Sequence, residues 1–136
     1  MEKLNVTVEW CDKNYCAVAQ DPLGGTIVVT EKNYDDLLVA FYESLDFHVN
    51  SLIEDGDLLP DWFVNKDYVV EFNLLPSAIL RKAQNFTTLA AISRVTGINE
   101  CLLHQYANNI KKPRPLQVDK IMNGLKTIGN NIIALS

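Results

Sequence analysis

The spacing of the apolar residues changes once along this 136-residue chain, near residue 74, and this change constrains the fold more than any other feature. Before it, several segments alternate apolar and polar residues at period two, which is typical of half-buried strands. After it, apolar residues recur at intervals of three and four, which is typical of amphipathic helices. We therefore predict an α+β chain with two domains, residues 1–73 and residues 74–136.

The first domain is predicted to be a β-β-β-α-β layer, with one helix lying on one sheet. Asn33 has the side chain to cap that helix, and Gly56 is suited to end it. Residues 57–67 contain Pro60 and are predicted to form a loop. The four strands are predicted at residues 4–10, 15–19, 26–30 and 68–72.

The second domain is predicted to contain only helices. Pro76 suits the first turn of one helix, Thr87 or Thr88 caps a second, and Asn99 caps a third. A fourth amphipathic helix follows a basic, proline-containing turn at residues 111–115. Its apolar stripe consists of Val118, Ile121, Leu125 and Ile128.

The two domains carry opposite charge, which the net charge of −5 conceals. Residues 1–73 contain 15 Asp and Glu against four Lys, a balance of −11. Residues 74–136 contain eight Lys and Arg against two acidic residues, a balance of +6. A basic domain favours a polyanion as its partner, and an acidic domain favours a basic protein.

The stretch from Leu89 to Asn108 resembles the helix-turn-helix of Cro and phage-repressor regulators. Two helices that cross sharply need a small residue at the crossing, and Ser93 is small, although that family usually has alanine there. Gly97 supplies the positive φ that the connecting turn requires. Four apolar residues are expected to face the core: Ile92, Ile98, Leu103 and Tyr106.

The outward side of the third helix is the predicted DNA-reading surface. By the resemblance, Glu100, Cys101 and Gln105 match positions that reach base edges in the major groove. Gln and Asn can bond adenine, Glu can accept from the cytosine amino group, and basic residues neutralise phosphates. The complete set of predicted DNA-binding residues is Thr88, Asn99, Glu100, Cys101, His104, Gln105, Asn108, Lys111, Lys112 and Arg114.

The chain as a whole resembles the antitoxins of the HicB family, in which a degenerate RNase H-like module precedes a DNA-binding segment. The residues that carry this resemblance are Tyr15 to Ala19, the turn from Asp21 to Gly25, Asn33 at the helix start, and the helix-turn-helix stretch. Family members usually show Leu-Pro-Gly in that turn, where this chain has Pro-Leu-Gly-Gly.

The resemblance implies an antitoxin that neutralises a small basic mRNA-interferase toxin and represses its own operon at an inverted repeat. The negative balance of the first domain independently fits a basic partner, since complementary charge steers association. Acidic rim residues and two aromatic anchors are the predicted toxin-binding set: Asp12, Asp21, Asp55, Asp57, Asp61, Trp62 and Phe63.

A catalytic role is not predicted, although an RNase H-like module raises the question of a nuclease. Two-metal phosphodiester chemistry needs several carboxylates that converge from strand interiors, and Asp12 and Asp21 are instead predicted in turns. We expect no metal and no cofactor. His48 has no Ser or Cys partner at a readable spacing, so it is predicted to pack or to lie on the surface. The three cysteines contain no CxxC pair and are expected to be reduced thiols.

The N-terminus lacks the pattern of a signal peptide and no apolar run is 18 residues long, so we expect a cytoplasmic protein without a membrane partner. Two domains of this size would each be marginally stable alone, so a homodimer or a higher oligomer is expected. The apolar residues Ile132, Ile133 and Leu135 are candidates for that contact. The alternative to the antitoxin is a stand-alone transcription regulator whose α+β domain senses a small molecule.

Overall fold

The computed structural model describes all 136 residues and divides them into two compact units, Met1–Leu75 and Pro76–Ser136. The first unit combines a four-stranded mixed sheet with two helices, and the second contains four helices. The chain is therefore α+β. None of its helices has both the length and the apolar character that crossing a membrane requires.

The sheet of the first unit has the order β3-β2-β1-β4. Strand β1 (Glu2–Cys11) pairs antiparallel with β2 (Asn14–Gln20), which pairs antiparallel with β3 (Thr26–Glu31). Strand β4 (Tyr68–Leu74) lies on the other side of β1 and runs parallel to it. The parallel pairing requires a crossover connection, and helix α1 (Tyr34–Glu54) supplies most of it.

Helix α1 covers one face of the sheet because its apolar residues share one side. Asn33 begins it, since the Asn33 side chain accepts hydrogen bonds from the backbone N–H of Asp35 and Asp36. The buried residues of the helix meet the alternating buried residues of the strands. The helix contributes Leu37, Phe41, Leu45 and Val49, and the first strand contributes Leu4, Val6 and Val8.

The loop predicted at residues 57–67 is wrong in one part, because the structure has a short helix there, α2 (Asp61–Val64). Pro60 stands at its N-cap, and Phe63 from this single turn is fully buried. The Phe63 ring stacks on the Tyr68 ring with 5.7 Å between centroids. Packing holds this single turn in place. Four residues are too few to show a helical period in the sequence, so the turn was not predicted.

The second unit contains α3 (Pro76–Ala83), α4 (Leu89–Thr96), α5 (Glu100–Ala107) and α6 (Pro115–Ile133). The predicted helices are all present, and α6 is the longest of the four. Helices α4 and α5 pack on each other, α3 packs on α5, and α6 packs on α4. All four residues predicted to face this core are buried: Ile92, Ile98, Leu103 and Tyr106.

Candidate functional site

The connection between α4 and α5 is a three-residue turn that the sequence specifies in detail. Gly97 follows α4 in the left-handed conformation, with φ of 75°, and its N–H donates to the Ser93 carbonyl at 2.8 Å. Asn99 then caps α5, because its Oδ1 accepts from the Cys101 N–H at 2.8 Å. A residue with a Cβ would be strained at position 97, so glycine suits this turn.

Two hydroxyl groups fix the turn from the side of α4. The Ser93 hydroxyl donates to the Ile98 carbonyl oxygen at 2.5 Å, across the turn. The Thr96 hydroxyl donates to the Ile92 carbonyl at 2.7 Å and accepts from the Ile98 N–H at 3.2 Å. Ser93 therefore does more than occupy little space at the crossing, which is all that the sequence indicated.

Helix α5 has a buried side and a polar exposed side. Leu103, Tyr106 and Ala107 are buried, whereas Glu100, Cys101 and His104 are exposed. Gln105 is half-buried. His104 Nε2 lies 3.8 Å from Glu100 Oε1, so the carboxylate has a nearby imidazole on the same face. Among the other predicted DNA-binding residues, Thr88, Asn99, Lys111, Lys112 and Arg114 are exposed.

Asn108 is exposed but its amide group is already engaged within the protein. Its Oδ1 accepts from Arg81 Nη2 at 2.7 Å, and its Nδ2 donates to the His104 carbonyl at 3.0 Å. Arg81 Nη2 also lies 3.4 Å from the Ala107 carbonyl, so it links α3 to the end of α5. These contacts give Asn108, which was predicted to bind DNA, a structural role that the sequence did not indicate.

The basic turn after α5 is anchored at its start. Asn109 has a positive φ of 58°, and the Ile110 N–H donates to the Gln105 carbonyl at 2.8 Å. Lys111, Lys112 and Arg114 follow, all exposed, and Pro115 then opens α6. Three exposed cationic side chains therefore lie in the turn that directly follows α5.

The structure divides the residues predicted to bind a toxin into accessible and buried groups. Asp12, Asp55, Asp57 and Asp61 are exposed, and Trp62 is half-buried. Asp21 and Phe63 are buried, so the predictions of Asp21 as an acidic rim residue and of Phe63 as an accessible aromatic anchor are wrong. Phe63 is part of the core, and the Asp21 carboxylate is used inside the first unit.

Asp21 organises the turn between β2 and β3. Its Oδ1 accepts from the N–H groups of Leu23, at 2.7 Å, and Gly25, at 3.1 Å. Its Oδ2 lies 2.5 Å from His48 Nε2 on α1. A Cβ at Gly25 would overlap this carboxylate, so only glycine fits there without a shift. The pair gives His48 a partner that sequence spacing did not reveal.

Two opposing effects set the pKa of Asp21. Burial raises it, because a low dielectric disfavours the charged form. The hydrogen bonds with His48 and with the two backbone N–H groups favour the carboxylate and lower it. The net result is a pKa below the ordinary value of 3.8, so Asp21 is ionised at neutral pH.

The outer side of α1 is an acidic surface of the first unit. The helix contains five carboxylates and no Lys or Arg. Exposed apolar side chains lie among them, with Phe47 at 75% exposure and Val39 at 59%. We call this the acidic α1 surface and define it as Asp35, Asp36, Val39, Glu43, Asp46, Phe47 and Glu54.

The cysteines are not arranged as a metal site, and one of them has a poorly reactive thiol. Burial, together with nearby Glu9 and Cys16, raises the pKa of the Cys11 thiol to about 11, so its reactive thiolate is scarce at neutral pH. All three cysteines are free thiols. No group of three or more His, Cys, Asp or Glu side chains is arranged to hold a metal ion.

A shallow pocket of about 480 Å³ lies against the end of the sheet, with Asn5, Thr7 and Trp62 among its lining residues. Lys3, at its edge, pairs with Glu71 at 3.1 Å.

Comparisons of the chain with protein-family models, curated proteins and solved structures find no match. The function is therefore inferred from the geometry of the sites described above.

Proposed function

We propose that residues 76–136 bind DNA through a helix-turn-helix formed by α4 and α5, with α5 as the recognition helix. The observation that carries this proposal is the continuity of the polar side of α5 with the basic turn. An α-helix with its side chains is about 10–12 Å in diameter and therefore fits the DNA major groove, which is about 12 Å wide. In this arrangement Glu100, Cys101 and Gln105 face base edges, and the basic turn contacts the phosphate backbone.

The charge of this unit supports a nucleic acid as its partner. Eight Lys and Arg stand against two acidic residues, although the complete chain is acidic. Glu100 is unfavourable near phosphates, but His104 lies beside it and a cytosine amino group would satisfy its carboxylate. The acidic residue therefore serves sequence preference at some cost in affinity.

We further propose that the first unit binds a small basic protein, so that the chain is an antitoxin that represses its own operon. This agrees with the resemblance to HicB-family antitoxins and with the balance of −11 in residues 1–73. The acidic α1 surface is the proposed contact, extended by Asp55 and Asp57. Its exposed apolar residues supply an anchor, and its carboxylates supply the charge that steers a basic partner.

Three variants test the DNA proposal in a fluorescence-anisotropy titration with sequences selected from a random pool. Lys112→Ala and Arg114→Ala are expected to weaken binding to all sequences and to reduce the salt slope by about one unit each. Gln105→Ala is expected to change the preferred base at a cost of about 1–3 kcal/mol. Lys126→Ala, a cation on α6 outside the basic turn, is the matched control.

The same titration identifies the outcome that contradicts the proposal. If Gln105→Ala keeps both the affinity and the preferred sequence, α5 is not the recognition helix. Cys101 provides an independent readout, because it is exposed on the proposed interface. Bound DNA is expected to slow the reaction of Cys101 with a thiol reagent, and an unchanged rate at saturating DNA speaks against this surface.

The antitoxin proposal is tested by co-purification with the product of a neighbouring reading frame that encodes a small basic protein. Phe47→Lys is expected to prevent the complex, since it replaces an exposed apolar anchor with a charge that repels a basic partner. Val69→Lys, at an exposed position of β4 outside this surface, is the control and is expected to retain it. If no basic partner binds and a small molecule instead alters DNA affinity, the stand-alone regulator replaces the antitoxin.

A further inference from the structure

The second unit has an apolar groove that its own residues do not fill. The groove has a volume of about 290 Å³ and lies between the end of α3 and the second half of α6. Its lining residues are almost all apolar, and Thr87 is the single exception apart from glycine. We call it the C-terminal groove and define it by Ala83, Phe86, Leu125, Ile128 and Ile132.

Helix α6 continues beyond the part of the core that it covers. Ile121 is buried, and Leu125 and Ile128 pack against the core cluster. The large apolar residues after them have no such cover, and Ile132 is 53% exposed. Ile133 is 70% exposed and Leu135 is 87% exposed, and Phe86 on the rim of the groove is 78% exposed. The groove and the exposed side chains thus form one apolar patch, which is characteristic of an interaction site.

The composition of this segment selects the kind of partner. Residues 127–136 contain no charged side chain, so two copies can approach without repulsion or the burial of a charge. Helix α6 lines one side of the groove and also carries exposed side chains that can fill the groove of a second copy, so the contact can be two-fold symmetric. Gly129 faces open space, where a Cβ would meet no atom within 4 Å. A glycine inside a helix is costly, and the close approach of a second helix would explain it.

We propose that the C-terminal groove is the homodimer interface, with the exposed α6 end of one copy seated in the groove of a second copy. Phe86, Ile132 and Ile133 are the central contacts. A basic partner protein fits this surface poorly, because the patch has no carboxylate to receive it. The proposal extends the proposed function, since a two-fold dimer presents two copies of α5 to an inverted repeat.

Sedimentation equilibrium of the full chain without DNA tests this interface. The wild-type chain is expected to form a reversible dimer. Ile133→Lys and Phe86→Lys are each expected to raise the dimer dissociation constant at least about tenfold, which corresponds to 1.4 kcal/mol. Leu116→Lys is the matched control, because Leu116 is 77% exposed at the other end of α6. All three positions lie outside the core, and far-UV circular dichroism verifies that each variant is folded.

Three outcomes would overturn the interface: a wild-type monomer at every concentration, open-ended association, or variants that dimerise as tightly as the wild type. Hydrogen exchange adds a local measurement. The amides of residues 129–133 are expected to exchange more slowly as the wild-type concentration rises, and not in Ile133→Lys. Because the assay contains no DNA, it separates the two proposals. A monomer whose base preference still depends on Gln105 removes the dimer and leaves the DNA proposal intact.

Discussion

Removal of the Asp21 carboxylate should destabilise the first unit more than removal of any exposed carboxylate. The side chain receives three hydrogen bonds, from Leu23 N–H, Gly25 N–H and His48. A hydrogen bond to a charged group contributes about 1.5–3 kcal/mol, but three bonds that share one carboxylate do not add fully. We therefore expect Asp21→Ala to lower the free energy of unfolding by about 2–4 kcal/mol. At about 4–8 °C per kcal/mol, the melting temperature should fall by roughly 10–25 °C.

Asp21→Asn separates the charge from the shape of the side chain. Its amide oxygen can still accept from both backbone N–H groups, and its NH₂ can donate to His48 Nε2 in the tautomer that leaves this nitrogen without a proton. Neutral hydrogen bonds are weaker, so a loss of about 1–2 kcal/mol is expected. Asp57→Asn is the matched control, because this exposed carboxylate undergoes the same change of charge. Its effect should stay within about 0.5 kcal/mol.

The pH dependence provides a second measure of the same interaction. The folded-state pKa of Asp21 lies below its ordinary value of 3.8, so the ionised carboxylate contributes its full stability above that pH. The contribution is lost as the pH falls through the folded-state pKa. Asp21→Asn does not titrate, so the gap between it and the wild type should narrow below pH 3.8.

Tryptophan fluorescence is the appropriate assay, because both tryptophans of the chain, Trp10 and Trp62, belong to the first unit. Urea unfolding followed by this signal reports the first unit without interference from the second. Two results would refute the reasoning. One is an Asp21→Ala midpoint no lower than that of Asp57→Asn. The other is a gap between the wild type and Asp21→Asn that stays constant as the pH falls below 3.8.

Three further predictions concern packing and cysteine chemistry. Gly124→Ala should destabilise the second unit despite the better helix propensity of alanine, because the new Cβ would overlap the Thr96 side chain. Thermal circular dichroism should show a lower midpoint, and a higher midpoint would contradict the close packing of Gly124 against Thr96. Ser93→Ala should lower the unfolding free energy of this unit by about 0.5–1.5 kcal/mol through loss of the bond to Ile98, and an unchanged urea midpoint would argue against that bond. At neutral pH, Cys101 should react with a thiol reagent faster than Cys11, which has a pKa of about 11 and is partly buried; equal rates would contradict this difference.

The elements with strong periodicity could be predicted from the sequence. The alternation of Leu4, Val6 and Val8 indicated a half-buried strand, and these residues are buried. Gly97 indicated the end of α4 and Asn99 indicated the start of α5, because each residue type meets a local backbone requirement. In both cases the physical cause acts within a few residues, where sequence reading is most informative.

Features that depend on distant residues could not be predicted in this way. Asp21 and His48 are 27 residues apart, so the carboxylate looked like one surface acid among many. Phe63 belongs to a single helical turn that is too short for a period, and only its packing against Tyr68 reveals its role. Asn108 was predicted to bind DNA, and its bond to Arg81, 27 residues earlier, could not be seen in the sequence. A polar residue type indicates what chemistry is available, but tertiary contacts decide where that chemistry is used.

The segregation of charge explains how a chain with a net charge of −5 could bind DNA at all. At physiological ionic strength the screening length is about 8 Å, so a phosphate in contact with the basic turn responds mainly to nearby Lys and Arg. At about 0.01 M salt the screening length grows to about 30 Å, and any carboxylate within that distance then also acts on the DNA. In the physiological range, the logarithm of the DNA affinity should therefore fall linearly with the logarithm of the salt concentration. At low salt, the measured affinity should lie below the extension of that line. Neutralisation of α1 carboxylates, as in Glu43→Gln with Asp46→Asn, should restore part of the lost steepness, and no change on neutralisation would show that the first unit does not repel the DNA.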